Sequence, residues 1–434
     1  MLSRLTSVMA GCMVIALINI SGPEIRAEDG IKRVQLSFTH RMRIETTDRA
    51  VGLDANGNGG TSYLRNRASI KARALPASRL EITAQLTNEF RYYFVPEDID
   101  FSLHEVFVDL LYAKWDSVAN LPLALSIGRQ NLSFGEGFIV IDGTPLDGSR
   151  SIYFNAARAD WAIAPGHSMS LAYVNQPVED KYLPLIHDQD AKLIEQPQQA
   201  LIAYYSRSWG NGNLQAYFIR KESGHTTEYA DARQVNCPGI RLQLPITARA
   251  TLVGEGAYQI GTNGASDQQG YGGYGYAEYT TGWPIHLPKT FSIGGVHLSG
   301  DDPATDDDEG WEPVFGRWPK WSESYIYTLI RERSVAYWTN LTSVFIRTTV
   351  PVATDLVLSL DYHHLSAPQT SDPAKAFPGG SGTHRGDLLI GKLTYHVSPH
   401  LTGHVLFERF APGDFYFTGA DSYGWMRMEV MLRF

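Results

Sequence analysis

The chain is poor in cysteine, in charge and in long apolar runs, and each shortage excludes a class of protein. Two cysteines among 434 residues, Cys12 and Cys237, cannot build a disulfide scaffold. Charged residues make up only 19%, and the net charge of −9 offers no basic footprint for nucleic acid. Past residue 20, no stretch approaches the ~20 uncharged apolar residues that a membrane-crossing helix needs. Disorder is excluded from the other side, because 43% of residues are hydrophobic and 12% aromatic.

The one long apolar run lies at the start. Arg4 precedes Leu5–Ile20, and SGPEIRA leads to Ala27 ahead of Glu28 and Asp29. This reads as a secretory signal peptide over residues 1–27, cleaved after Ala27. An N-terminal membrane anchor is the other reading. Cleavage leaves 407 of the 434 residues, with Cys237 as their one cysteine. A chain so exported, without an apolar helix, is either a secreted or periplasmic protein or an outer-membrane β-barrel. Barrels carry their membrane signal in alternation rather than in runs.

Alternation is what the rest of the sequence shows. Val34, Leu36, Phe38, Met42 and Ile44 share one face, against Arg41, Arg43 and Glu45 on the other. From Leu64, apolar Ala68, Ile70 and Ala72 alternate with Arg65, Arg67, Lys71 and Arg73. From Leu80, Ile82, Ala84 and Leu86 alternate with Glu81, Thr83, Gln85 and Glu89. Period 2 places successive side chains on opposite faces of a strand. A soluble sandwich alternates in the same way, so connection lengths must decide. Eight short turns recur, at 75–78, 117–121, 164–167, 209–213, 245–247, 282–288, 351–355 and 398–400. Longer polar connections separate them, among them 47–62, 135–149, 176–197, 300–333 and 367–385. Short turns at one end and long loops at the other are the asymmetry of outer-membrane barrels. Eight short turns with both termini at their end predict 18 strands at roughly 10 residues each; 16 is the alternative. The domain reading is then a barrel over residues 28–434. The last strand sets Met426, Met428, Val430, Leu432 and Phe434 against Arg427, Glu429 and Arg433, and ends on an aromatic residue suited to the outer-membrane assembly machinery. Aromatic clusters at Tyr92–Phe94, Tyr112 with Trp115, Tyr204 with Tyr205, and Phe415–Phe417 fall at strand ends, where bilayer interfaces favour amphipathic rings.

Three segments resemble the alginate-export family of outer-membrane proteins: IGRQNLSFGEGFIVID with its continuation to Phe154, LSGDDPATDDDEGWEPVFGRWPKWSESY at 298–325, and residues 403–434. The resemblance extends over essentially the whole exported chain. It implies a monomeric 18-stranded barrel in the outer membrane of a Gram-negative-type bacterium, with outer-membrane lipid around it and an anionic uronate polysaccharide passing through an arginine-rich lumen.

Such a path needs fixed cations on the inner face, since guanidinium binds carboxylate bidentately and a charged lumen concentrates anions. The inward positions of the first two strands offer Arg41, Arg43, Arg65, Arg67, Lys71 and Arg73, and the last strand adds Arg427 and Arg433. Arg129 stands in the family-like segment, with Arg150 and Arg158 across the following loop. Strict alternation from Leu123, Leu125 and Ile127 points Arg129 outward, unless a bulge at Gly128 re-aims it. Acidic Glu45, Glu81, Glu89, Glu105, Asp109, Glu408 and Glu429 also read as lumenal, so the two signs either pair to hold the wall rigid or leave an anion path. The loops beginning at Gly135 and Gly300 are placed to fold inward or over the mouth as gates.

The remaining motifs carry little chemistry. The acidic loop with Asp301, Asp302 and Asp306 offers oxygen ligands for calcium but lacks EF-hand spacing, and a solvated loop is the plainer reading; no cofactor is expected. His363 and His364 are neighbours on a strand, so they face opposite ways and do not share a metal. His404 and Glu408 read as an inward, hydrogen-bonded pair. Gly272, Gly273 and Gly275 stand among tyrosines in a strand and precede no helix, so they make no phosphate loop. Neither a nucleophile elbow nor HExxH is present. The sequence therefore predicts a non-enzymatic channel for alginate-like uronates. The alternatives are a porin for small organic or sugar acids and, more remotely, an outer-membrane hydrolase.

Overall fold

A computed structural model describes residues 34–48, 53, 60–97, 106–141, 154–183, 186, 194, 196–226, 231–316, 321–322, 339–370 and 380–434. The proposed signal segment, Glu105 and Arg150 lie outside them. Twenty strand segments form one antiparallel sheet, from β1 (Val34–Asp48), β2 (Thr61–Ala77) and β3 (Leu80–Val95) through to β20 (Tyr423–Arg433). The sheet closes on itself where β1 pairs with β20, His40 opposite Leu432 and Ile44 opposite Met428. Phe38 and Phe434 exchange both backbone hydrogen bonds at 2.9 Å, so the terminal aromatic residue is zipped into the seam.

Two staves are each broken once. β11 (Ala250–Tyr258) and β12 (Ile260–Asn263) both pair with β10 (Arg233–Pro245) and make one stave. β13 (Ser266–Gln268) and β14 (Tyr271–Thr280) pair back onto them as the next. Twenty segments thus make 18 staves, and the barrel has 18 strands rather than 16. The eight expected short turns join strands at the end where both termini lie, and the long connections lie at the other end. Among the described residues no helix is long and apolar enough to cross a membrane, and the closed barrel crosses with its strands.

The sequence alternation sorts the two faces. Ile70, Ile127, Leu201, Ile293 and Ile346 stand on the outside, and Ile127 is 66% exposed. Such a band is untenable in water but is solvated by hydrocarbon chains. Trp115, Trp161, Trp209 and Trp283 ring the short-turn end. Tyr92, Tyr173, Tyr258, Tyr271 and Tyr362 form the opposite girdle. Two of the expected interface clusters belong elsewhere. Tyr204 turns into the lumen and stacks on Tyr217, and Phe415 and Tyr416 pack edge to face within the buried core. They lie inside because the long-loop half of this barrel is filled.

Candidate functional site

The filling comes from two connections. After β5 (Leu123–Gln130), residues 131–141 turn inward; after β15 (Thr290–Leu298), residues 299–316 do the same. They meet through a parallel bridge between Val140 and Phe315, with Ile141 N donating to Phe315 O and Phe315 N to Ile139 O. Phe134 stacks on Tyr204 at 4.3 Å, Phe138 stacks on Trp311 at 5.4 Å, and Phe154 meets Phe315 edge to face at 5.2 Å. Both segments fall within stretches that carry the family resemblance, and of the two expected courses, inward or over the mouth, they take the inward one.

The wall holds this plug with backbone and charge. At the break in β13–β14, Gln269 N donates to Asp308 O and Asp308 N to Asp267 O, so the plug adds itself to the sheet edge. Gln259, at the break in β11–β12, clamps the Glu312 backbone on both sides, at 2.5 and 2.9 Å. Lys221 of β9 (Gly212–Ser223) donates to Glu312 Oε1 at 3.0 Å and to Val314 O at 2.7 Å. Arg233 bridges Glu312 and Asp308, and Arg241 reaches Glu136 at 2.9 Å. Sequence reasoning passed over Lys221, Arg233 and Arg241. Arg241 was findable from its alternation with Ile240 and Leu242. Lys221 was not, because its inward neighbour Ile219 is apolar and fully buried against the plug.

The acidic stretch at 301–309 is used by its own chain. Asp301 Oδ1 accepts Glu309 N, Asp302 Oδ1 accepts Ala304 N, and Glu309 Oε1 accepts the Thr305 hydroxyl.

The expected charged ladder lies on the lumenal side of the closure seam. Arg41, Arg43 and Glu45 of β1, Arg65 and Arg67 of β2, Glu89 of β3, and Arg427 and Glu429 of β20 are all buried inside. Arg427 Nε lies 3.1 Å from Glu45 Oε1, and Arg43 Nε lies 2.5 Å from Glu429 Oε2. Arg65 and Arg67 share Glu89 at 2.7 and 2.8 Å, and Arg67 also binds Asp109 of β4 (Val106–Trp115) at 2.7 Å. Gln85 and Thr87 donate to the same Asp109 oxygen, Oδ2. The register sets both kinds of pair face to face: Arg43 meets Glu429, Glu45 meets Arg427 and Arg67 meets Glu89, while Arg41 faces Arg67, Arg43 faces Arg65 and Arg65 also faces Arg91.

Arg129 is buried although the register sets it opposite Leu111 and Asn155, on the face that strict alternation turns outward. Gly128 before it has φ +122°, and the pairing runs through both residues without the slip of a bulge. Arg129 is 1% exposed and donates to Val108 O, Asn155 Oδ1 and Asp180 Oδ1.

Toward the short-turn mouth the charges are wetter. Arg73 pairs with Glu81 at 2.6 Å and Arg158 with Asp160 at 2.8 Å. Lys71 is half-buried on the lumenal face, and Arg433 reaches Thr402 Oγ1 at 3.5 Å. His404 and Glu408 face inward but do not pair with each other: His404 turns to Glu429 at 3.5 Å, and Glu408 accepts the Ser322 hydroxyl. His363 and His364 do face opposite ways, His363 to the lumen and His364 outward.

Known proteins share this architecture. The OpdK outer-membrane protein of Pseudomonas aeruginosa is 12% identical with a TM-score of 0.58, over 92% of this chain and 98% of that one. P. aeruginosa OccK2 (OpdF) is 12% identical with a TM-score of 0.59, over 92% and 97%. A structure of OpdK with vanillate superposes with a TM-score of 0.58 at 11% identity, over 92% and 98%. At such identities the likeness is one of fold. No curated protein matches the chain. The alginate-export family model matches residues 32–428, nearly the whole chain, and with the closed 18-stranded barrel this makes the protein a member of the alginate-export family of outer-membrane channels.

Proposed function

We propose that the barrel conducts anionic uronate polymers or oligosaccharides of the alginate type by diffusion along its lumenal cations. Segments 131–141 and 299–316 are its movable closure. The observation that carries this is the like-charge pairing of Arg41 with Arg67 and of Arg43 with Arg65. A wall built for rigidity alone would set opposite signs at every such pair, as this one does for Arg43 with Glu429 and Arg67 with Glu89, because like charges directly opposite are destabilising. Concentrating guanidinium at one lumenal wall costs stability and makes sense where an anion passes.

The protein's own carboxylates fit this reading. A uronate carboxylate is the chemical equal of Glu89 or Glu429, so it can exchange with them at an arginine. Competition keeps each contact weak, and weak serial contacts are what transit requires. The path assigned is Arg41, Arg43, Arg65, Arg67, Arg129 and Arg427 beside the plug, then Lys71, Arg73, Arg158 and Arg433 toward the short-turn mouth. No bond-breaking chemistry is assigned to it. Residues 1–27 act as the export signal in this reading, and the barrel works as a monomer.

A second reading is a porin for small organic or sugar acids. The filled outer half of the lumen favours it, as does the vanillate, itself a carboxylate, in a structure of OpdK. Single-channel recording in a planar bilayer separates the two. Anion selectivity with block by oligouronates and none by neutral glucans is expected, with block abolished by Arg65→Ala, Arg67→Ala and Arg129→Ala together. Conductance without uronate block would transfer the assignment to the small-acid porin.

A further inference from the structure

Among the described residues, one group of His, Cys, Asp or Glu side chains gathers three ligand atoms within 4.8 Å of one another: His364, His384 and Asp387. The group lies outside the lumen. β17 (Leu356–Ser366) turns Tyr362 and His364 outward, and β18 (His384–Ser398) brings Asp387 directly opposite His364. A register shift after Leu365 sets Ser366 against His384, and Gly386, at φ +142°, absorbs the extra residue. That irregularity places His384 beside Asp387 on the outer side. An added Cβ on Gly386 would come within 2.3 Å of Ala411 O, so the backbone there tolerates no side chain.

The three side chains are already oriented. Asp387 Oδ1 accepts the Tyr362 hydroxyl at 2.7 Å and lies 2.9 Å from His364 Nδ1. Asp387 Oδ2 lies 3.5 Å from His384 Nε2. The two imidazoles stack with centroids 4.6 Å apart. Leu360, Tyr362 and Leu389 continue the outer face toward the membrane band. The cluster therefore sits where the two strands leave the hydrocarbon, at the base of the connection between them.

We propose that His364, His384 and Asp387 form an outer-surface site for a divalent transition ion of the zinc class. Two imidazoles and one carboxylate are a three-ligand set of that kind, with a fourth position for water or a headgroup oxygen. Imidazole disfavours calcium and magnesium, which prefer all-oxygen shells. Bonds of ~2.0–2.1 Å in tetrahedral geometry bring ligand atoms to roughly 3.3 Å apart, so small side-chain rotations close the site. Tyr362 orients the carboxylate as outer-shell donors do. A bound ion would staple β17 to β18 and stabilise the barrel by mass action.

The test uses the refolded barrel without a histidine tag, titrated with Co2+ as the spectroscopic probe and Zn2+ as competitor. One Co2+ per barrel is expected, with the intense visible absorption of a four-coordinate ion, displaced by Zn2+ and unaffected by Mg2+. His384→Ala and, separately, Asp387→Ala should each abolish it while heat-modifiable migration and conductance stay intact. Should either variant fail to refold, His364→Gln provides the same test with little change of volume. Absence of saturable Co2+ binding, or binding that survives these substitutions, would reduce the cluster to a hydrogen-bonded strand pair and overturn the proposal.

Discussion

Gly128 sets the backbone from which Arg129 makes its buried contacts. Its φ of +122° is one that residues with a Cβ rarely adopt, and an added Cβ would come within 2.3 Å of Leu111 O. Gly128→Ala should therefore destabilise the barrel by about 1–3 kcal/mol and swing Arg129 out of its contacts with Asn155 and Asp180. Urea unfolding in micelles checks the first effect, and loss of anion selectivity the second. An alanine variant with wild-type stability would show that the glycine is dispensable. Arg129→Lys separates charge from shape, since an ammonium cannot reproduce the fork that reaches Val108 O and Asp180 together. At this scale the sequence was readable wherever one face is uniformly apolar, as in β1 and β2. It was ambiguous at Arg129, which is buried on the face that alternation turns outward. Which acid meets which arginine was not readable at all, because register between strands is a property of the closed sheet.

The plug is where whole elements depart from what alternation foretells. Staves that line the filled half are apolar on both faces. Leu201 and Phe218 face lipid, while Ile202 and Ile219 beside them face the plug. Period 2 then carries no polarity signal, and the cations Lys221 and Arg233 stay hidden in it. The plug segments themselves stood out as long connections, but their meeting at Val140 and Phe315 required the fold. That meeting is testable. In a Cys237→Ala background, Val140→Cys with Phe315→Cys should form a disulfide on oxidation that holds the two segments together. Conductance and uronate block should fall on oxidation and return on reduction. Unchanged currents would mean that solutes pass without parting the segments. Glu312→Gln probes the same anchor from the wall. It leaves buried Lys221 without its charged partner, a loss of order 3–5 kcal/mol for a fully buried pair, and half-buried Arg233 with Asp308 alone. Release of segment 299–316 relieves that cost, so longer open times are expected. Shorter or unchanged ones would place the gate elsewhere.

For the molecule as a whole, the strand number followed from counting turns, and the closed seam confirms it despite the breaks at Gln259 and at residues 269–270. The breaks were invisible in sequence because they exist to receive the plug backbone. What the closed shape dictates most directly is how the outer wall depends on depth. Ile346 is 54% exposed and sits mid-strand in β16 (Leu341–Ala353), between the two aromatic girdles. Ile246 is equally exposed but lies in a short turn, at the level of the Trp115 and Trp209 girdle. A lysine at the bilayer midplane costs ~2–4 kcal/mol, and one near the interface ~0–1 kcal/mol. Ile346→Lys should therefore lower equilibrium stability in lipid vesicles severalfold more than Ile246→Lys, although both replace an exposed isoleucine with the same charge. In detergent micelles, which wrap the barrel with little depth structure, the gap should narrow. Equal penalties in vesicles would mean that the girdles do not mark the membrane boundaries, and the membrane would then have to cross the barrel at another height.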